Sequence, residues 1–282
     1  MTAMPLAIAE LIQQAQQRLS HSDSARLDAE LLLAKVLDKP RSYLLTWPER
    51  QVSLEQQQQF EQLLSAREQG QPVAYLLGQR EFWSLSLAVN DSTLIPRPET
   101  EHLVEAVLAL QLPKQARVVD LGCGTGAIAL ALKSERPQWQ ITAVERDARA
   151  LALAQHNAEQ LGLVLEFCAS DWFSALPVAQ QFDVVVSNPP YIDAADPHLQ
   201  QGDVRFEPRS ALVAEQHGLA DLAQLIAQAP SYLRSGGWLL LEHGWQQGAA
   251  VRQLFEQQGY KQVSSQHDYA KLERISSGQW VE

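Results

Sequence analysis

The sequence is poor in cysteine and in long apolar segments. Its 282 residues include only two cysteines, Cys123 and Cys168, and neither belongs to a CxxC or CxxH pair. This spacing argues against a disulfide scaffold and a structural zinc site, so we expect no bound metal. No apolar run reaches the roughly 18–20 residues that a transmembrane helix needs, so we expect no membrane association.

Basic residues are also scarce relative to acidic ones. The chain has 22 Lys and Arg against 33 Asp and Glu, which gives a formal net charge of −11. Proteins that bind the nucleic-acid backbone need clustered Lys and Arg, so we expect no nucleic-acid partner. Residues 1–20 have the pattern of an amphipathic helix and lack the features of a secretory signal, so we expect a cytoplasmic protein.

The first part of the sequence has a helical pattern. Apolar residues recur at helical spacing from Leu6 to Leu19, and residues 28–37 form a second predicted helix. Ser53 is a predicted N-cap, with Gln56 at the capping-box position, of a third helix that stops near residue 70.

The periodicity changes to that of strands at Glu81. Alternating apolar residues from Trp83 to Val89, followed by a turn at 90–92, predict a hairpin. We therefore predict three parts: a helical domain over residues 1–80, a linking hairpin over 81–95 and a main domain over 96–282.

Short apolar runs alternate with helical segments through the main domain. Such runs suit strands that are buried on both faces of a parallel sheet. With the intervening helices they predict an α/β fold, an open sheet covered by helices on both faces. The predicted strands are 117–121, 141–145, 164–168, 182–187 and 238–242, with two more between 260 and 275.

A glycine-rich loop, Asp120–Gly126, follows the first of these strands. Its glycines permit sharp turns and the close approach of a ligand. The loop falls at the carboxyl end of a strand, where open α/β sheets bind their ligands. Glu145 ends the next strand, where its carboxylate can accept hydrogen bonds from both hydroxyls of a ribose.

Read alone, the loop is compatible with more than one cofactor. Gly122, Gly124 and Ala127 also satisfy the G-x-G-x-x-G/A pattern of dinucleotide-binding enzymes, so an NAD-linked oxidoreductase stays an alternative. Asp120 before the loop and Gly126 within it favour S-adenosylmethionine. A structural turn without a ligand is the third interpretation, and Cys123 is expected to be a small residue filling that turn.

Two further segments follow strands at the same predicted edge. Asp171 and Trp172 come after the third strand, where they can contact an adenine ring; an ordinary buried Trp beside a solvated Asp is the alternative. Ser187-Asn188-Pro189-Pro190-Tyr191 follows the fourth strand, and its consecutive prolines make a stiff loop with few N–H donors. The Asn188 side-chain oxygen and the Pro189 carbonyl can together accept both protons of one NH₂ group, while Tyr191 covers the substrate. Such a loop orients a weakly nucleophilic planar nitrogen for in-line methyl transfer.

These motifs resemble the release-factor glutamine methyltransferase family (PrmC/HemK), and the likeness extends over essentially the whole chain. The Asn-Pro-Pro-Tyr loop is shared with adenine N6-methyltransferases. The Pro-Arg-Pro-Glu-Thr segment together with a helical N-terminal domain is more specific to the family. The segments that carry the likeness are 80–83, 95–100, 120–126, 187–191, 205–208 and 241–244.

The resemblance implies N5-methylation of the glutamine in the Gly-Gly-Gln (GGQ) motif of bacterial class 1 peptide chain release factors. It also implies a Rossmann-like seven-stranded methyltransferase sheet and a small helical domain that helps to hold the release factor. The catalytic residues implied are Asn188, Pro189, Pro190 and Tyr191. S-adenosylmethionine, which becomes S-adenosylhomocysteine, would contact Gly122, Cys123, Gly124, Thr125, Gly126, Glu145, Trp172 and Asn188.

The sequence leaves some assignments open. A ribosomal-protein glutamine methyltransferase, a nucleic acid adenine N6-methyltransferase and an inactive adaptor are the other candidates. Arg205-Phe206-Glu207-Pro208 is expected either in a loop at the substrate mouth or in a structural salt link. His243 is expected to be a buried, hydrogen-bonded histidine rather than a general base.

Overall fold

A computed structural model describes residues 4–178 and 181–282 of the chain. It divides into two compact units. One contains the residues up to Gln79 together with Gln201–Phe206, and the other contains Arg80–Gln200 and Glu207–Glu282. No helix within the two described ranges has the length and apolar character needed to cross a bilayer.

Helices form the first unit. Their apolar faces enclose a separate core that includes Ile8, Leu32 and Phe60. The Ser53 hydroxyl accepts a hydrogen bond from the Gln56 backbone N–H at 3.2 Å, and the Ser53 N–H donates to the Gln56 side chain, which confirms the predicted capping box. The helices are α1 (Ile8–Arg18), α2 (Ala25–Leu37), α3 (Arg41–Thr46), α4 (Leu54–Glu68) and α5 (Val73–Leu77).

The segment 201–206 was not recognised from the sequence as part of the first unit. Arg67 donates to the carboxylates of Asp28 and Asp203 at 2.8 and 3.0 Å, and Asp28 is buried. Arg205 donates to the Gln69 carbonyl at 3.2 Å. The contacts of Arg67 with Asp203 and of Arg205 with Gln69 each join residues 136 positions apart, which no local pattern in the sequence reveals.

A two-stranded hairpin consists of β1 (Gln79–Phe82) and β2 (Leu85–Ala88). Its turn is Trp83–Ser84, with φ angles of 52° and 59°, the two-residue geometry that matches strand twist. The turn predicted at 90–92 exists, but it follows the hairpin. Trp83 is held in its unusual conformation because its backbone N–H donates to Glu101 at 2.8 Å and its indole N–H donates to Glu135 at 2.9 Å.

A seven-stranded sheet forms the centre of the second unit, in the order β10-β11-β9-β6-β3-β4-β5. The strands β9, β6, β3, β4 and β5 run parallel to one another, and β11 pairs antiparallel with both β9 and β10. The predicted seven-stranded α/β fold is confirmed. The strands are β3 (Arg117–Leu121), β4 (Gln140–Glu145), β5 (Glu166–Ala169), β6 (Phe182–Ser187), β7 (Ile192–Asp193), β8 (Val213–Ala214), β9 (Leu233–Glu242), β10 (Lys261–His267) and β11 (Glu273–Gln279), of which β7 and β8 form a separate pair.

Both faces of the sheet are covered by helices. On β3, Val118 belongs to the core beneath one face and Val119 to the core beneath the other. This alternation explains why the strands are apolar along their whole length. The prediction started β5 at Val164, which is instead 81% exposed and precedes the strand. The helices are α6 (Glu101–Leu108), α7 (Ala127–Glu135) and α8 (Ala148–Leu161) on one face and α10 (Ala220–Gln228) and α11 (Gly248–Gln258) on the other, with the short α9 (Glu215–Gly218).

The carboxyl ends of the central strands bring the two predicted loops together. The glycine loop follows β3 and the Asn-Pro-Pro-Tyr loop follows the adjacent β6. The Ser187 hydroxyl donates to the Leu121 carbonyl at 2.6 Å, which fixes the start of one loop to the start of the other.

Candidate active site

A cavity in the second unit opens at this carboxyl edge. It is lined by residues from the hairpin end, the Pro-Arg-Pro-Glu-Thr segment, the glycine loop and the ends of β4, β5 and β6. Most of the predicted site residues meet there, namely Gly122, Cys123, Gly124, Thr125, Glu145, Trp172, Asn188 and Pro190. Gly126, Pro189 and Tyr191 lie outside this lining.

The glycine loop is shaped by three left-handed glycines and by the neighbouring strand. The backbone N–H groups of Gly122 and Cys123 both donate to the Val144 carbonyl, at 2.8 and 2.9 Å. At Gly122, where φ is 71°, an added Cβ would lie 3.1 Å from the Trp172 ring. Cys123 is 6% exposed, and burial raises the pKa of its thiol, so it is a neutral space-filling group.

Gly126 serves packing rather than the cavity. It is the N-cap of α7 with φ at 82°, and an added Cβ would meet Leu130 at 3.1 Å and Ala154 at 3.3 Å. Its backbone N–H donates to the Cys123 carbonyl at 2.7 Å, which closes the loop. The absence of a side chain here lets α7 begin directly against α8.

Glu145 fixes the loop as well as facing the cavity. Its Oε2 accepts the Gly124 N–H at 3.0 Å, and its Oε1 accepts the N–H groups of Arg146 and Asp147 at 2.8 and 3.0 Å. A carboxylate has about four acceptor positions, so three backbone donors leave one for a ligand. The sequence suggested acceptance from both ribose hydroxyls, whereas much of this carboxylate is committed to the protein backbone.

We expect Glu145→Gln to weaken the binding of S-adenosylhomocysteine by roughly 10- to 100-fold, since a charge-assisted hydrogen bond contributes about 1.5–3 kcal/mol. The amide would also present N–H groups to backbone donors. Isothermal titration calorimetry measures the change. Glu166→Gln on the adjacent β5 removes a carboxylate that lies outside the cavity lining and should leave the affinity unchanged. Equal weakening of S-adenosylhomocysteine binding in both variants would contradict a direct contact between Glu145 and the cofactor.

Asp120 lies beneath the loop with no solvent exposure. Its Oδ2 accepts the Ala129 N–H at 3.1 Å, while its Oδ1 has no partner among the described residues. Burial raises the pKa of this carboxyl to about 7, the Ala129 N–H opposes that rise, and the nearby Glu145 charge adds to it. The ionised form is therefore costly in the folded protein.

Asp120→Asn should flatten the pH dependence of stability. Folding raises the pKa of Asp120 from 3.8 to about 7. The contribution of its protonated form to the unfolding free energy is therefore complete below pH 3.8 and is lost as pH rises through about 7. We expect the fall in unfolding free energy between about pH 5 and pH 8 to be smaller in the variant by at least ~1 kcal/mol, because one pKa unit corresponds to ~1.4 kcal/mol. Urea unfolding at both pH values measures it. Parallel curves for the two proteins would refute this account of Asp120.

Trp172 occupies a strained position at the end of the cavity. Its φ is 48°, a left-handed conformation that bulky residues rarely adopt, and its carbonyl accepts the Ser170 hydroxyl at 3.0 Å. The side chain is 8% exposed and packs in the core on one face of the sheet. Asp171 beside it is open to solvent and faces Arg146 at 3.8 Å. Trp172 is thus a wall of the cavity that also belongs to the core.

The Asn-Pro-Pro-Tyr loop is held by side chains from three other segments. Asn188 is half-buried, and its Nδ2 donates to the Thr100 hydroxyl at 3.1 Å. The Tyr191 hydroxyl donates to Oε1 of Glu242 at 3.4 Å, and burial raises the pKa of Tyr191, which is therefore a neutral phenol. Gln247 Nε2 donates to the Tyr191 carbonyl at 3.0 Å. With Nδ2 bound to Thr100, the Asn188 oxygen is left as the acceptor.

Two other residues at the site were given no role from the sequence. Thr100 and Arg97 belong to the family-typical segment, and both line the cavity. Glu207 is buried, accepts the Ile95 N–H at 2.9 Å and pairs with Arg97. The salt-link interpretation of Glu207 is therefore correct. Arg97 and Glu207 are 110 positions apart, so no local pattern predicts their ion pair. The only hint in the sequence is that both residues belong to segments that carry the family likeness.

His243 is structural, as expected. It is fully buried, its Nδ1 donates to the Gly244 carbonyl at 2.9 Å and its Nε2 accepts from the Ser276 hydroxyl at 2.9 Å. Burial lowers the pKa of the imidazole, which favours this neutral tautomer. Both ring nitrogens are used within the protein, so neither is free for proton transfer.

Solved structures share this architecture. A methyltransferase from Pyrococcus furiosus superposes with a TM-score of 0.54 at 16% identity, covering 70% of this chain and 90% of its own. The catalytic domain of hMettl16, solved with an RNA hairpin, gives a TM-score of 0.56 at 20% identity, covering 78% and 82%. The methyltransferase small domain also matches residues 100–203. The fold is therefore one that methyltransferases share, and the family model that matches residues 100–203 is a methyltransferase domain.

Close relatives narrow the class. The release factor glutamine methyltransferase of Salmonella typhimurium is 54% identical over 96% of this chain and 98% of its own length. That of Escherichia coli K12 is also 54% identical, over the same shares, and that of Pseudomonas aeruginosa is 54% identical over 94% and 96%. The PrmC N-terminal domain matches residues 10–78. The chain belongs to the release factor glutamine methyltransferase family.

Proposed function

We propose that this enzyme transfers a methyl group from S-adenosylmethionine to the N5 side-chain amide of the glutamine in the GGQ motif of bacterial class 1 peptide chain release factors. The names of relatives that match nearly the whole chain support the reaction and the substrate. A release-factor substrate supports a cytoplasmic location for the enzyme.

The observation that carries the proposal is the fixed polarity of Asn188. Its NH₂ group is committed to Thr100 at 3.1 Å, so its oxygen is available to accept a proton from a substrate amide. We assign the second proton to the Pro189 carbonyl, on a loop whose prolines limit its motion. Accepting both N–H protons places the nitrogen lone pair towards the methyl donor. Pro190 and Tyr191 complete the substrate loop as its stiffening and anchoring residues.

The cavity residues fit S-adenosylmethionine. Glycines let the ligand approach the loop where a Cβ would stand, and Glu145 keeps one acceptor position for a ribose hydroxyl. We assign cofactor binding to Gly122, Cys123, Gly124, Thr125, Gly126, Glu145, Trp172 and Asn188, with Gly126 acting through the shape of the loop. When bound, the cofactor supplies an electrophilic methyl group on its sulfonium.

We propose that three parts of the chain have different roles. Residues 1–80 form the helical domain that helps to hold the release factor, residues 81–95 form the link, and residues 96–282 carry the chemistry. The helical part has its own apolar core, which supports its assignment as a separate module.

The test is mass spectrometry of a purified release factor after incubation with this enzyme and S-adenosylmethionine. We expect a gain of one methyl group on the GGQ glutamine and none in a factor whose GGQ glutamine is changed to alanine. No gain, in a folded enzyme that binds S-adenosylhomocysteine, would reject the release-factor assignment. Ribosomal proteins and adenine-containing DNA would then be the substrates to examine.

A further inference from the structure

A buried polar chain runs from the substrate loop into the interior of the second unit. Asn188 Nδ2 donates to Thr100 Oγ1 at 3.1 Å, and the Thr100 hydroxyl lies against the Glu242 carboxyl, where it favours the ionised form. Thr100 is 5% exposed and Glu242 is 2% exposed. Tyr191 donates to the same carboxyl at 3.4 Å. Glu242 thus links both ends of the Asn-Pro-Pro-Tyr loop.

The direction of these hydrogen bonds follows from the donors available. A carboxylate only accepts, whereas a hydroxyl has one proton and two acceptor positions. Oε2 of Glu242 is buried and has no hydrogen-bond partner among the described residues, so it is an open acceptor close to the Thr100 hydroxyl. When Thr100 gives its single proton to Glu242, it can only accept from Asn188. The amide of Asn188 must then present NH₂ to Thr100 and its oxygen to the substrate.

We propose that Thr100 and Glu242 are positioning residues that set the orientation of the Asn188 amide, with the Glu242 carboxylate as the terminal acceptor. The role rests on the proposed amide-methylating function. A side-chain amide looks nearly the same after a 180° turn, but only one of its two orientations offers an acceptor to the substrate. A turned amide would direct its NH₂ at the NH₂ of the substrate.

The charge of Glu242 makes this arrangement sensitive to pH. Burial raises the pKa of Glu242 to about 7, and the groups that favour its ionised form are Thr100, Arg274 and Tyr191. Glu99 opposes ionisation, and Arg97 faces the Tyr191 hydroxyl. Protonated Glu242 can itself donate to Thr100, which reverses the chain. The turnover number kcat is therefore expected to rise as pH increases through about 7.

Kinetics of variants test the positioning role with the intact enzyme and its release-factor substrate. Thr100→Val keeps the shape and removes the hydroxyl that accepts from Asn188 and faces Glu242, and we expect kcat to fall roughly 100-fold, the order of loss for a misplaced catalytic group. Thr100→Ser should restore kcat to within a few-fold. Thr142→Val is the matched control, because Thr142 is equally buried but lies on β4 away from Asn188. Glu242→Gln should lower kcat and abolish its rise near neutral pH.

Nuclear magnetic resonance reports on the amide without any reaction. The sequence has asparagine only at positions 90, 157 and 188, so ¹⁵N-asparagine labelling gives few side-chain NH₂ signals, and Asn188→Ala assigns the one of interest. We expect the proton bound to Thr100 to shift with pH as Glu242 ionises, and this titration to vanish in Glu242→Gln and Thr100→Val. Glu273→Gln, a carboxylate change on β11, should leave it intact.

The two proposals fail in different ways. A wild-type enzyme that methylates no release factor rejects the proposed function, while the NMR titration still decides the orientation of Asn188. An active wild type with Thr100→Val at full kcat, or an Asn188 signal that Glu242→Gln leaves unchanged, overturns the positioning role. A Thr100→Val loss that Thr100→Ser does not restore also overturns it.

Discussion

Asn188→Ala is expected to lower the turnover number for methyl transfer by roughly 100- to 1000-fold, the range found when one preorganised hydrogen-bonding group is removed from an active site. The substitution deletes the oxygen that would accept a substrate proton and frees the Thr100 hydroxyl to turn. Asn188 is half-buried, so the lost packing is small and the fold should persist. Single-turnover methylation of a release factor, followed by mass spectrometry, measures the rate.

Two further measurements separate chemistry from binding and folding in this variant. The affinity for S-adenosylhomocysteine should change by only a few-fold, because the glycine loop, Glu145 and Trp172, which also line the cavity, stay in place. Asn188→Asp keeps an acceptor oxygen but has no NH₂ for Thr100, so its rate should lie between those of the wild type and Asn188→Ala. A wild-type rate in Asn188→Ala would reject the catalytic assignment of the loop.

Gly218→Ala is expected to reduce kcat roughly 100-fold through displacement of the substrate loop, since a shift of about 1 Å in a reacting group has an effect of that order. Gly218 has φ at 82°, and an added Cβ would overlap the Tyr191 carbonyl oxygen. Gln247 would also be crowded, at 2.7 Å, and its side chain donates to that same carbonyl. The added methyl group can be accommodated only if Tyr191 moves.

Gly162→Ala is the matched control for this substitution. Gly162 also has a left-handed conformation, with φ at 65°, but an added Cβ there has no neighbour within 4 Å. Both variants carry the strain of a left-handed alanine, about 1–2 kcal/mol, so the contacts with Tyr191 and its partner Gln247 distinguish them. We expect similar melting temperatures and a loss of kcat in Gly218→Ala alone. Equal activity of the two variants would show that the contact is unimportant.

Patterns of short range predicted most of the fold. The capping box at Ser53 and the buried strands of the sheet were read from neighbouring residues, because caps and strand periodicity are local properties. The prediction failed where tertiary contacts decided the conformation. Trp83 and Ser84 turn the hairpin with positive φ because Glu101 and Glu135 hold Trp83, and Val164 is outside β5 although its residue type favours a strand.

The sequence by itself determined where on the sheet the site lies. A glycine loop after β3, a carboxylate at the end of β4 and Asn-Pro-Pro-Tyr after β6 must share one edge of the sheet, because parallel strands place their carboxyl ends together. The motifs therefore predicted both the place of the reaction and the residues proposed to perform it.

Only the tertiary structure decided how those residues are oriented. The partners of the substrate loop, Thr100, Glu242 and Gln247, lie 88, 51 and 56 positions from the loop residues that they contact. A motif specifies that an asparagine is present, but which side of its amide faces the substrate depends on a hydroxyl and a carboxylate from elsewhere in the chain. Hydrogen-bond direction is a property of the assembled network, because each donor is used once and its partners are chosen by the fold.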